Sequence, residues 1–298
     1  MESPVNLKSG KTKHTNIKQK TGTAAYSTGL PVFIILALLN INQSFAQNYN
    51  YEVGGRSAGI SHASVALKDY WAGFNNQAAL GYLEHPYAGF YFENKFQTKE
   101  FSMQAGTFAY PFKPGALSLS YRYFGFSQFY ESKVGLGFGR KFTEKFAAGV
   151  QIDYLQTFIA EGTGSSQALA AEAGLMAEPV SNLIIGFQVF NPTPANKNKP
   201  FEDQIPTIFR TGFAYTLEKK ATVLCEVQKD LNSSPLFKAG MELRVIESLD
   251  FRVGFSTAIE QYSVGLGYHF KNLLADLAFS HHQILGFSPK ISIGYEFN

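Results

Sequence analysis

Large apolar side chains alternate with small or polar ones along most of the chain, and the pattern is cleanest at the C-terminus. In 291–298, Ile291, Ile293, Tyr295 and Phe297 share one face, while Ser292, Gly294, Glu296 and Asn298 share the other, because a strand turns successive side chains to opposite sides. The same period predicts fourteen strands, near 86–95, 101–110, 116–124, 131–140, 146–156, 167–177, 182–191, 205–216, 221–229, 236–245, 249–256, 261–270, 273–280 and 289–298. Short polar turns at 111–115, 141–145, 178–181, 217–220, 246–248 and 271–272 alternate with generally longer links such as 125–130, 157–166, 192–204, 230–235 and 281–288. An even strand number with tight turns at one end describes an all-β protein, a transmembrane antiparallel β-barrel of about 14 strands.

Assigning faces gives the wall and the lumen. The outward set includes Leu117, Leu119, Tyr121, Tyr123, Phe146, Val150, Ile152, Tyr154, Phe209, Phe213, Tyr215, Tyr262, Val264, Leu266, Tyr268 and Phe270, with aromatics often near strand ends. Both charge signs fall inward: Arg122, Asp153, Glu172, Arg210, Glu242, Arg244 and Arg252, together with Lys133, Glu226, Lys238, His269 and Asp276, interspersed with glycines. Buried charges need partners, so this network is expected either to line a selective pore or to pin something inside. A barrel of this size encloses more space than wall side chains fill.

Composition agrees with this architecture. Charged residues make up 16% and aromatics 15%, with 28 Phe and 27 Gly, whereas a soluble domain carries about 25% charge. Mean hydropathy is only −0.10, because just the lipid-facing half of a barrel must be apolar. The net charge of +3 includes the lysines at 8, 11, 13, 18 and 20. The remainder is near neutral, which gives no support for nucleic-acid binding. Those lysines precede the apolar run 30–39 and the small-x-small site Ser44-Phe45-Ala46. Residues 1–46 therefore read as a cleaved secretion signal, too short in their apolar part to span a bilayer. The expected location is the cell outer membrane. Cys225 is alone and is expected to pack inside.

Residues 47–85 lack strand alternation and are rich in small side chains, as in Gly54-Gly-Arg-Ser-Ala-Gly-Ile-Ser-His-Ala-Ser-Val-Ala-Leu-Lys-Asp69. They read as a short hatch inside the lumen of the barrel 86–298. Asn75 and Asn76 are suited to satisfying backbone groups that have left the strand ladder.

This segment resembles the FadL-like outer-membrane superfamily, which includes long-chain fatty acid transporters and the PorV/PorQ family of the type IX secretion system. There a small-residue block leads through an alanine-rich stretch and an acidic residue to an aromatic-x-Asn-Pro-Ala-Gly-Leu motif. Gly59, Asp69, Phe74, Asn75, Asn76, Ala78 and Leu80 occupy that block here, with Gln77 for the Pro and Ala79 for the Gly. The resemblance implies a fourteen-stranded barrel with an N-terminal plug. Shorter outer links than fatty acid transporters carry place the chain nearer PorV/PorQ. That implies a non-enzymatic role in protein transport or surface attachment, through contacts with secretion-machinery or cargo proteins. The alternative is a passive transporter of a hydrophobic small molecule.

Catalytic readings find little. His281-His282, in an expected outer link, has no ligand-spaced Cys, Asp or Glu nearby, so no metal is expected. Residues 162–166 lack the lysine and helix of a phosphate loop, and no Gly-x-Ser-x-Gly elbow occurs. No cofactor is implied.

Overall fold

The computed structural model describes residues 50–160, 164–193, 204–258 and 261–298. Fourteen antiparallel strands close into a ring: β1 (Tyr87–Asn94), β2 (Ser102–Phe112), β3 (Gly115–Phe126), β4 (Phe129–Thr143), β5 (Phe146–Ile159), β6 (Gly164–Val180), β7 (Leu183–Phe190), β8 (Ile208–Leu217), β9 (Ala221–Asp230), β10 (Leu236–Ile246), β11 (Leu249–Ser256), β12 (Tyr262–Phe270), β13 (Leu273–His282) and β14 (Gly286–Glu296). Each pairs with the next, and β1 closes on β14 from Tyr87↔Glu296 to Glu93↔Lys290. Closure leaves no sheet edge, which is what lipid demands of a strand protein. No described helix is long and apolar enough to cross a membrane. The secretion signal expected at 1–46 lies outside the described residues.

The turns beside β1's start and β14's end are tight. One of them places Glu218 and Lys219 at φ 47° and 58°, the consecutive left-handed pair that matches hairpin twist. The links at the opposite rim are generally longer, as expected, with 95–101 and 231–235 as examples, but three of them are shorter than the sequence suggests. β3 runs to Phe126 paired with Phe129, β5 to Ile159 paired with Gly164, and β13 to His282 paired with Gly286. Alternation simply continues through stretches that look polar enough to be loops. His281 and His282 therefore belong to a strand, facing Phe287 and Phe96 respectively. The C-terminal strand stops at Glu296, and Phe297 donates its N–H to Pro86 O at 2.8 Å. The long link after Asn191 falls largely outside the described residues.

The outer wall is apolar where lipid would touch it. Leu136, Ile152 and Leu169 are 60%, 65% and 66% exposed on adjacent strands β4, β5 and β6, a patch that a water-soluble surface would not sustain. Tyr123, Tyr130 and Phe158 stack at 5.3 and 5.1 Å near one rim. Phe142 and Phe146 meet at 6.0 Å near the other, so aromatic belts flank the band. Cys225 departs from expectation. It lies on β9 at an outward position, half-buried between its neighbours, because the buried parity on β9 belongs to Leu224, Glu226 and Gln228.

Candidate functional site

The lumen holds the described residues ahead of β1, an N-terminal segment that starts at Asn50. From Asn50 the chain forms a five-residue helix α1 (Gly55–Gly59), then a short helix α2 (Ala72–Asn75) and a 3-10 turn (Gln77–Tyr82) before entering β1. Small side chains let this backbone approach the wall, and glycines on the wall reciprocate. Gly139 faces Gly149, which faces Gly174; Gly186 faces Gly212, and Gly240 faces Gly254. A Cβ on Gly139 would lie 2.6 Å from Leu80 Cβ, and one on Gly240 2.6 Å from Ile60 Cβ. Cβ atoms on Gly149 and Gly186 would strike the main-chain oxygens of Gln77 and Val65. The inward glycines thus form a belt against which the segment lies.

Charged wall residues meet the same segment in three groups. Lys133 pairs with Glu172 and, at 3.3 Å, with Asp153. Glu172 accepts from Gln77 Nε2 at 2.6 Å and Gln188 Nε2 at 2.5 Å. In the second group Arg210 donates to Glu226 (2.8 Å), Gln188 (2.9 Å), Ser64 Oγ (3.2 Å) and the backbone oxygen of Asn75 (2.8 Å). Lys238 joins Glu226 at 3.1 Å and also reaches Glu52. In the third, Glu242 lies between Arg56 at 2.7 Å and Arg252 at 2.6 Å, and Arg252 extends to Asp276 at 2.6 Å.

The network expected from sequence therefore divides. Glu172, Arg210 and Glu242 touch the N-terminal segment directly, while Asp153 acts through Gln151, whose Nε2 donates to Gly73 O at 2.9 Å. Arg252 backs Gly59, and Arg122 lies 5.0 Å from the centre of the Tyr51 ring. Arg244 shares the inward parity but sits at the rim with its side chain 48% exposed, bonded to Asp250 at 3.1 Å. Glu52, Arg56 and Gln77 are partners that strand parity does not point to. The only sequence signal for them is that polar side chains recur in a segment otherwise made of small ones.

The motif residues are spread along this packed segment. Asn76 Nδ2 donates to Val65 O at 2.7 Å and to the strand carbonyls of Leu175 and Phe187, both at 3.3 Å. Asn75 exchanges bonds with Val53, at 3.2 Å to its N–H and 3.0 Å to its oxygen. Phe74 packs with Trp71, Val53, Tyr91, Met103 and Ala105. Ala78 and Leu80 close the end beside the start of β1 with Ala109, Ala116, Ala147 and Met176. Asp69 is buried near Arg56; burial outweighs that charge and pushes its carboxyl above the usual range. In the C-terminal strand, Ile293 and Tyr295 face outward, and inward Gly294 leaves the space that the Tyr87 hydroxyl fills.

Toward the opposite rim one side of the lumen turns apolar. Leu155, Ala168, Ala170, Phe190, Ile205 and Ile208 form a buried cluster. It lies beside a step in the wall: the β6–β7 ladder begins only at Glu172↔Phe190, so 164–171 of β6 rises next to the chain turn at Asn191, whose N–H donates to Ala171 O at 2.7 Å. No group of metal-ligating side chains occurs among the described residues.

Solved structures share this architecture. The toluene transporter TbuX of Ralstonia pickettii aligns with TM-score 0.60 at 14% identity, over 84% of this chain and 100% of that one. A FadL homologue of Pseudomonas aeruginosa aligns with TM-score 0.61 at 12% identity, over 87% and 99%. The toluene transporter TodX of P. putida gives 0.59 at 11%, over 81% and 98%. The fold is thus FadL-like. No family model matches the chain, and no curated protein does.

Proposed function

We propose that the protein is an outer-membrane conduit for small apolar molecules, with residues 50–85 as a hatch that must shift for passage. The buried apolar cluster of Leu155, Ala168, Ala170, Phe190, Ile205 and Ile208 carries this reading. It places an apolar stretch of the lumen next to the wall step at β6, the side from which a molecule dissolved in the lipid would enter. The FadL-like neighbours, two of them described as toluene transporters, support the same choice. Uptake of labelled toluene and of a labelled long-chain fatty acid by cells with and without the protein tests it. Faster uptake of either with the protein is expected, and a smaller gain when Phe190 or Ile208 is replaced by Asp. Equal uptake in both strains would remove the proposal.

A second reading, a PorV/PorQ-like component of protein secretion, is favoured by one observation. Two described links at the rim away from Pro86, 127–128 and 283–285, are tight, which leaves low stretches of rim suited to protein contact. Loss of surface proteins from a deletion strain whose apolar uptake is unchanged would establish that reading instead.

A further inference from the structure

At the mouth beside the start of β1 and the end of β14, a cavity of about 320 Å³ opens among β8, β9, β10 and β11. Its two carboxylates are already committed, Glu242 to Arg56 and Arg252, and Asp250 to Arg244 and Arg252. Its cations are not all committed. Lys219 and Lys220 line the cavity and have no ion pair among the described residues. Arg244 meets Asp250 through Nε alone, which leaves its terminal N–H groups unused among those residues. Thr216 Oγ1 and Thr222 Oγ1 lie 3.2 Å apart; one proton serves that bond and the other hydroxyl proton remains to be given. The backbone fixes the set in place: Arg244 N–H donates to Lys220 O at 2.7 Å, and the left-handed pair Glu218–Lys219 turns the hairpin tightly.

The lining carries four cationic side chains against two carboxylates, both of them ion-paired, and a guanidinium edge with two ammonium groups suits an anion bearing several oxygens. Thr216, Thr222, Glu242, Arg244 and Asp250 occupy lumen-facing positions on their strands, so the occupant comes from water rather than from lipid headgroups. We propose that this cavity binds a small soluble oxyanion, a carboxylate or a phosphate, held by Lys219, Lys220 and Arg244. The site stands whichever cargo the barrel passes.

Calorimetric titration of the full chain in maltoside micelles tests it, with inorganic phosphate as probe and ionic strength held constant by sodium chloride. Saturable binding is expected, with acetate competing. Arg244→Gln and the double variant Lys219→Gln/Lys220→Gln should each weaken phosphate at least tenfold, while Glu218→Gln on the same turn leaves it within twofold. Unchanged heat-dependent gel migration shows that each variant's barrel is intact. Absence of saturable heat in the parent protein, or equal affinity in folded variants, would overturn the proposal.

Discussion

Arg210 of β8 donates through Nη1 to the backbone oxygen of Asn75, 2.8 Å away, so a wall side chain grips the main chain of the segment inside it. The same guanidinium lies 2.8 Å from Glu226 and 3.3 Å from Glu52. Breaking a buried pair by removing one partner costs about 3–5 kcal/mol, because the remaining charge is left uncompensated. Arg210→Met should therefore loosen residues 50–82 while the ring of strands persists. Limited trypsin digestion is expected to cut faster after Arg56 and Lys68 in the variant; identical digestion kinetics would show that the grip carries no weight.

The glycine belt gives a steric test. Gly149→Val places carbon where Gln77 O lies, so the segment must leave or the strand must bend. Single-channel conductance in planar bilayers should rise, because the barrel loses its filling. Gly106→Ala, whose new Cβ would have its nearest neighbour at 3.7 Å, should conduct as the parent does.

Face assignment gives a paired test on β12. Leu266 is outward and exposed, and Arg there costs about 2–4 kcal/mol near the bilayer midplane. Leu266→Arg should reduce the yield of folded barrel in membranes. By parity alone, Ser263→Arg on the lumen face should be mild. The packing changes that expectation: Ser263 Oγ accepts from Ser61 N at 2.8 Å and donates to Gly59 O at 3.0 Å. Ser263→Arg should assemble normally yet expose the N-terminal segment to protease, a split that equal assembly defects in both variants would contradict.

Asp69 predicts a pH response. Its carboxyl is raised by burial, so the packed segment favours the protonated acid. That stability is full at low pH and is lost as pH rises through the raised value. Trp71, the chain's single tryptophan, is buried nearby and reports the change. Its emission should shift toward that of exposed indole as pH rises above the ordinary carboxylate range, and Asp69→Asn should flatten the profile. A parent profile as flat as the variant's would refute the assignment.

The barrel was legible because its rule is local. A strand shows alternate residues to opposite faces, so Leu117, Ile152, Val264 and Ile293 announced the lipid side, and Arg210, Glu242 and Gly254 the lumen, with no knowledge of partners. The rim links misled for the same reason. Residues 281–288 read wholly as loop because histidines and a glycine interrupt the apolar count, whereas cross-strand pairing of Ser280 with Ser288 and His281 with Phe287 leaves only 283–285 outside the ladder.

The sequence by itself determined the strand number, the two faces and the presence of a small-residue segment ahead of them, since period two and side-chain size are properties of neighbouring residues. Only the tertiary structure decided which charge meets which. Arg56 finds Glu242, and Gln77 finds Glu172, across 186 and 95 positions of chain, distances over which no periodic pattern carries information. It also decided why the wall is short of side chains at Gly139, Gly149 and Gly240: the space belongs to a backbone that arrives from elsewhere in the chain, and that exclusion exists only once the ring is closed.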